Sequence, residues 1–419
     1  MDHFDYRGGV LHAEDVPLPL IAAEVGTPVY VYSRATLTRH ARVFRDALKV
    51  LPKVHLAFAV KSNPNLAVLK VLAAEGYGAD VVSAGEMDRA LAAGIPAADV
   101  VFSGVGKTAA EMRRALAAGC GQFNLESEEE GIELAEIAAS MGLIATATLR
   151  INPDVDAGTH AKISTGKAEN KFGVPYDRAA GIYARLSALP GLNLRGLALH
   201  IGSQLAKLDP LEAAFIKAGA LMQAIRAEGH AVTHMDLGGG VGVPYKAGEV
   251  FPQPAEYAAM IARVTQDWDA TLMFEPGRVI TGNTGVLLTE IVRVKQGALH
   301  PWVVVDAAMN DLARPAMYDA WHDFSAVTPS GETMTANIVG PICESSDTFA
   351  MAREIDTVAR GDLAVFRTAG AYGATMANTY NSRPMVPEVM VDGAKWAVVA
   401  DRIEPATILS AERVPDWLA

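Results

Sequence analysis

The chain has 419 residues, half of them apolar, with 36 basic against 48 acidic side chains and a formal net charge of -12. That is ample apolar material for a large core, most naturally in two domains, and it excludes a disordered chain. The acidic balance offers no basic footprint for nucleic acid or an anionic membrane, so neither is an expected partner.

The start, Met1-Asp2-His3-Phe4-Asp5, lacks the basic and apolar regions of a secretory leader, and no eighteen-residue apolar run follows. Cys120 and Cys343 match neither a disulfide framework nor a zinc site, so a reducing cytoplasm is expected and a metal centre is not. The strand-like stretch Gly9-Val10-Leu11-His12 precedes the regular part of the chain and is expected to pair with a second sheet further on.

From about residue 55 to 280 one rhythm repeats: a short β-rich run, a small loop, then an Ala-rich stretch with charges at helical spacing. The expected strands are His55–Lys61, Gly78–Ser83, Val100–Gly104, Gln122–Ser127, Ala145–Asn152, Arg195–Gly202, His234–Gly239 and Thr271–Pro276, with helices such as Glu86–Ala93 and Glu128–Ser140 between them. Eight consecutive β/α units predict a closed, TIM-like (β/α)8 barrel over residues 30–280. After Gly282 the rhythm stops. Gly285–Val294, Trp302–Asp306, Gly361–Thr368 and Trp396–Val399 are short, β-branched and bounded by Gly or Pro, which predicts an antiparallel β-sandwich or barrel. Residues 1–29 plus 281–419 are therefore expected to form a mainly β domain.

Barrel chemistry belongs at the C-terminal strand ends. The first strand ends in Lys61, where Asn63-Pro64 breaks an apolar run; a lysine there either reaches into water or is desolvated, which lowers its pKa and frees a nucleophilic amine. Strand two carries Asp80, strand five ends in Arg150-Ile151-Asn152 and strand six in His200-Ile201-Gly202-Ser203, its histidine either a satisfied core residue or a flat wall of a site. Gly238-Gly239-Gly240 after strand seven is either a tight turn or a phosphate cradle. Glu275 opens Glu275-Pro276-Gly277-Arg278 after strand eight, as a structural partner of Arg278 or as a carboxylate for a ring nitrogen. A lysine, a flat imidazole, a phosphate cradle and a carboxylate at one barrel mouth together specify pyridoxal phosphate.

These motifs, with Gly78-Ala-Asp-Val-Val-Ser-Ala-Gly-Glu86, His200-Ile-Gly-Ser-Gln204, Cys343-Glu-Ser-Ser-Asp347 and Gly370-Ala-Tyr372, resemble the fold-type III pyridoxal-phosphate decarboxylases of the ornithine, lysine and arginine class II group, and within them the branch that acts on diaminopimelate. The resemblance implies that Lys61 carries the cofactor and His200 stacks on it. Ser203, Gly239, Gly240, Gly277 and Arg278 would hold its phosphate and ring with Glu275 on the ring nitrogen, and Asp80, Arg150 and Tyr372 would complete the cofactor site. Arg278, Arg314, Tyr318, Glu344 and Tyr372 would bind an amino-acid substrate, and Cys343 would supply a proton.

The implied reaction is decarboxylation of meso-2,6-diaminopimelate to L-lysine, the last step of lysine biosynthesis; the alternative is ornithine, arginine or a related polyamine precursor. The resemblance also implies a homodimer in which each β domain contributes Cys343 and Glu344 to the partner's site, and a mobile active-site loop at 160–173, whose plain alternative is an ordinary solvated loop. A lone cysteine, too, is commonly just a small buried hydrophobe.

Overall fold

The computed structural model describes residues 2–156 and 170–418. It divides into two compact units, one of residues 38–244 and 250–280, the other of residues 1–37, 245–249 and 281–419. The early boundary thus falls at 38 rather than 30. Among the described residues no helix is long and apolar enough to cross a membrane.

The first unit is a closed parallel barrel. Its strands are Val54–Ala59, Gly78–Val81, Val100–Phe102, Gln122–Leu125, Ala145–Asn152, Leu192–Ala198, His234–Asp236 and Thr271–Phe274, each paired with its neighbour in chain order. Closure comes from Met273 opposite His55. All eight expected strands are present, most of them shorter at the C-terminal end than expected. A 3-10 turn at Val60–Ser62 takes over from the first strand, so Lys61 lies on a turn beyond the sheet. The triple glycine likewise falls wholly in the loop after Asp236.

One local device recurs where helices follow strands. After strands two, three and four, Ser83, Thr108 and Ser127 each accept a hydrogen bond from the amide of a glutamate three residues on: Glu86, Glu111 and Glu130. A hydroxyl that satisfies an orphan amide, with a carboxylate in the first turn, starts a helix sharply. Sharp starts keep the strand-to-helix loops short, and short loops hold the strand ends in one ring.

The second unit holds two sheets. Phe4–Arg7, Val10–Ala13 and Val16–Pro17 make a three-stranded antiparallel sheet of their own; of residues 1–30, expected to pair with the larger sheet, Val29 and Tyr30 do so and the Gly9–His12 stretch does not. Val29–Ser33 takes that place, between Gly285–Lys295 and Glu388–Asp392. Its tyrosines and valines point to opposite faces, and all are buried. Val29 and Val31 pack with Leu11, Leu18, Ile21, Val286, Leu288 and Val389 in the unit's core. Most pairings are antiparallel, as expected. Two are parallel, Trp302–Val304 with Asn337–Val339 and Tyr30–Ser33 with Glu388–Val391.

Candidate active site

The barrel mouth encloses a cavity of about 380 Å³, and every one of the eight strands or the turn after it supplies part of the lining, among them Lys61, Ser103, Asn124, Arg150, His200, Asp236 and Glu275. A ring of parallel strands aims its C-terminal ends at one point, which is why residues more than 200 positions apart meet there.

The amine of Lys61 lies 2.6 Å from Oδ2 of Asp80. The lysine side chain keeps 38% of its surface exposed, while Asp80 has none. Thus the expected desolvated ammonium is instead an ion pair at the cavity wall, because the strand ends before Lys61 and the burial falls on its partner.

Glu275 sits deeper. Asn124 Nδ2 donates to Glu275 Oε1 at 3.2 Å and to Asp236 Oδ2 at 3.0 Å, and Ser103 Oγ is 3.5 Å from Glu275 Oε1. Burial first, then the negative charges of Asp236 and Asp80, push Glu275 well above the usual carboxylate range. Its carboxyl shares a hydrogen bond with that of Asp236, itself raised by burial. Asp236 is further fixed by the amide of Gly238, 2.9 Å from Oδ1.

His200 is partly accessible, on its cavity side. Burial of the rest, then the charges of Arg150 and Lys61, push it down to about 3. The geometry agrees: the amide of Gly239 donates to Nδ1 at 3.3 Å, and a nitrogen that accepts carries no proton. The ring is a neutral, flat wall.

The glycine loop is required by contact. A Cβ on Gly239 would lie 2.3 Å from the carbonyl oxygen of Glu275, and one on Gly240 2.6 Å from that of Gly202. Gly238 and Gly240 also take φ of +63° and +120°, where side chains are strained. Beside the loop, Arg278 donates from Nε and Nη2 to Ser203 Oγ, both at 3.3 Å. A Cβ on Gly277 would crowd Ala59 and Ser62 at 3.1 and 3.2 Å, so this backbone packs directly on the lysine turn.

These residues fit pyridoxal phosphate. An amine faces the cavity, a neutral imidazole walls it, a buried carboxyl suited to a basic nitrogen lines it, and side-chain-free backbone lies beside a guanidinium. Arg150 is held by Glu126 at 2.7 Å, and its guanidinium lies 4.7 Å from the ring of Phe172, another lining residue. The expected active-site loop lies outside the described residues over 160–169. At its described end Gly173 donates to Glu126 at 2.8 Å.

The remaining expected residues belong to the β-rich unit. Arg314 opens the short helix Arg314–Tyr318 and is buried, with Nη1 2.8 Å from His322 Nε2. Cys343 and Glu344 are exposed; the Cys343 amide donates to Asn381 at 3.3 Å. The hydroxyls of Ser346 and Tyr380 donate to Glu344 and hold its carboxyl below the usual range. Tyr372 has φ of 55°, a strained backbone for a bulky residue and one often found at functional positions.

Asn124, Ser103, Phe172 and His322 carry no role in the sequence reading. Ser103 and Asn124 had a usable signal, since both are polar residues within expected strands, Ser103 next to the end of its own. His322 had none.

Residues 35–282 match the family model described as pyridoxal-dependent decarboxylase, pyridoxal binding domain. The chain is similar to a diaminopimelate decarboxylase of Zymomonas mobilis subsp. mobilis, 51% identical over 418 residues and covering 99% of each chain. Among solved structures it is similar to a diaminopimelate decarboxylase from M. jannaschii in co-complex with L-lysine, with 32% identity, a TM-score of 0.96, and coverage of 100% of this chain and 99% of that one. It is also similar to the Helicobacter pylori diaminopimelate decarboxylase complexed with L-lysine, with 37% identity, a TM-score of 0.90, and coverage of 94% and 98%.

Proposed function

The chain belongs to the pyridoxal-dependent decarboxylases, and from that premise we propose that it is a carboxy-lyase converting meso-2,6-diaminopimelate to L-lysine and carbon dioxide, the closing step of lysine biosynthesis. The observation that carries this is the convergence of all eight barrel strands on one cavity lined by Lys61, His200 with an accepting Nδ1, and buried Glu275. Bound pyridoxal phosphate supplies an electron sink for the charge left when carbon dioxide departs.

The chain's own residues do the rest. Lys61 would supply the amine that holds the cofactor at the cavity wall. Glu275, its carboxyl raised by burial and backed by Asn124, would face the ring nitrogen and hold a proton there. His200, whose Nδ1 accepts from Gly239, would cover a ring face as an uncharged wall. Ser203, Gly239, Gly240, Gly277 and Arg278 cradle the phosphate, and Asp80, Arg150 and Tyr372 border the cofactor.

At the far end of the substrate, Arg278, Arg314 and Tyr318 bind the carboxylate that is retained, with Tyr372 alongside, since a guanidinium fork pairs with a carboxylate through two hydrogen bonds. Glu344 takes the distal ammonium. Cys343 returns a proton to the reacting carbon. The exposure of Cys343 and Glu344 on their unit supports a homodimer in which both serve the partner's site. A cytoplasmic setting fits the two free thiols.

A product assay decides the substrate. Purified protein loaded with pyridoxal phosphate is offered meso-diaminopimelate, ornithine and arginine, and lysine is expected from the first alone. Turnover of ornithine without lysine formation would replace the distal-carboxylate reading by a distal-cation one.

A further inference from the structure

Arg314 is held on two sides within the β-rich unit. Its Nη1 lies 2.8 Å from Nε2 of His322, and its guanidinium carbon lies 4.3 Å from the centre of the Tyr245 ring. Both Arg314 and His322 are buried, at 6% and 2% exposure. A guanidinium has only hydrogens to offer, so Nε2 must accept. The imidazole proton is then on Nδ1, which donates to the carbonyl of Arg367 at 2.9 Å. Both ring nitrogens are engaged and the ring is neutral.

His322 is in turn anchored to the sheet. Its carbonyl accepts from Nη1 of Arg353 at 2.6 Å, and that guanidinium lies on the Trp321 ring, 3.6 Å from its centre. Arg353 belongs to the strand Thr348–Asp356, and Arg367 directly follows Leu363–Phe366. Two strands therefore fix the imidazole, and the imidazole fixes the arginine.

The choice of acceptor matters. A carboxylate at this place would orient Arg314 equally well but would cancel its charge, whereas an imidazole lone pair orients it and leaves the charge for a ligand. We propose that His322 is a positioning residue which, with the Tyr245 ring against the guanidinium, pre-orients Arg314 for the substrate's distal carboxylate; this rests on the reading of Arg314 given above. A long side chain fixed in advance loses less rotamer freedom on binding, so the effect falls on substrate affinity.

The test is steady-state kinetics with meso-diaminopimelate on the cofactor-loaded protein. His322→Phe, flat but without an acceptor, is expected to raise KM about tenfold with kcat within about twofold of the parent. His322→Gln, whose amide oxygen accepts without charge, recovers most of the lost affinity. His322→Glu sets a carboxylate on the guanidinium and raises KM at least as far as the Phe variant. An unchanged KM in the Phe variant overturns the inference, as does an equal loss of kcat and thermal stability in Phe and Gln variants with KM unmoved. Should the Phe variant fail to fold, the Gln and Glu variants decide: a KM higher for Glu supports the inference and equal values overturn it. Arg314→Ala separates the two readings. If its KM is normal, the assignment of Arg314 itself falls; if its KM is raised while that of His322→Phe is normal, only the role of His322 falls.

Discussion

Lys61 and Asp80 form an ion pair of 2.6 Å whose two members stand in different media, the lysine side chain 38% exposed and the aspartate fully buried. The aspartate bears nearly all the desolvation, and the lysine relieves it. Asp80 Oδ1 is a buried atom without a hydrogen-bond partner among the described residues, so the carboxylate depends heavily on its one cation.

Lys61→Ala is accordingly expected to abolish turnover and also to cost about 1–3 kcal/mol of stability, less than for a fully buried pair because the lysine reaches water. Adding Asp80→Asn to that variant restores most of the stability and none of the activity. Urea unfolding of the cofactor-free variants measures this, and a double variant no more stable than Lys61→Ala rules the coupling out.

Two groups in the cavity give stability opposite dependences on pH. Glu275 is raised in the folded chain, so its contribution is complete below its ordinary value of 4.5 and is lost as pH rises through the folded value. His200 is lowered from 6.5 to about 3, so its contribution is complete above the ordinary value and is lost as pH falls toward the folded one. In cofactor-free protein, Glu275→Gln should flatten the decline in stability as pH rises above the ordinary carboxylate value of 4.5, and His200→Phe the decline as pH falls from 6.5 toward about 3. Denaturant midpoints across pH report both; an unaltered slope in Glu275→Gln would place the proton on another group.

Gly239→Ala is expected to destabilise the protein by about 1–3 kcal/mol and to weaken cofactor retention, because its Cβ would lie 2.3 Å from the Glu275 carbonyl, backbone that cannot swing aside. Gly85→Ala is the matched control. Its Cβ meets only Ser83 Oγ at 3.8 Å on a helix, where alanine is the better residue. Thermal melts and cofactor absorbance after gel filtration distinguish the two, and equal behaviour would mean that the glycine loop tolerates a side chain.

If the sites are shared between subunits, mixing two inactive proteins should regenerate activity. Lys61→Ala and Cys343→Ala, unfolded together and refolded, are expected to recover about a quarter of the parental rate, since half the dimers are mixed and each has one intact site. No recovery would place Lys61 and Cys343 of a functional site on the same chain.

Much of this was legible in the sequence, because its signals are local. Strand and helix periods alternate within about thirty residues of each other, and Lys61, His200, Asp236 and Glu275 fall at the end of their respective strands or within two residues after it. What was not legible depends on pairings between distant segments. Nothing near Lys61 announces Asp80 as its counter-ion, so it reads as desolvated. Nothing in Trp321-His322-Asp323 announces that the ring accepts from Arg314. Sheet direction in the β-rich unit is hidden for the same reason: alternation tells which side of a strand is buried but not whether its neighbour runs with it or against it, and the two parallel pairings there join strands separated by long stretches of chain.

The placement of Val29–Ser33 sets an order on synthesis. It emerges early, yet the strands that flank it begin at Gly285 and Glu388, so the whole barrel sequence leaves the ribosome before either neighbour exists. During that interval its valines and tyrosines, all buried in the finished protein, form a bare β edge that other chains can pair with. The segment thus waits, without either sheet neighbour, until the barrel sequence has been made.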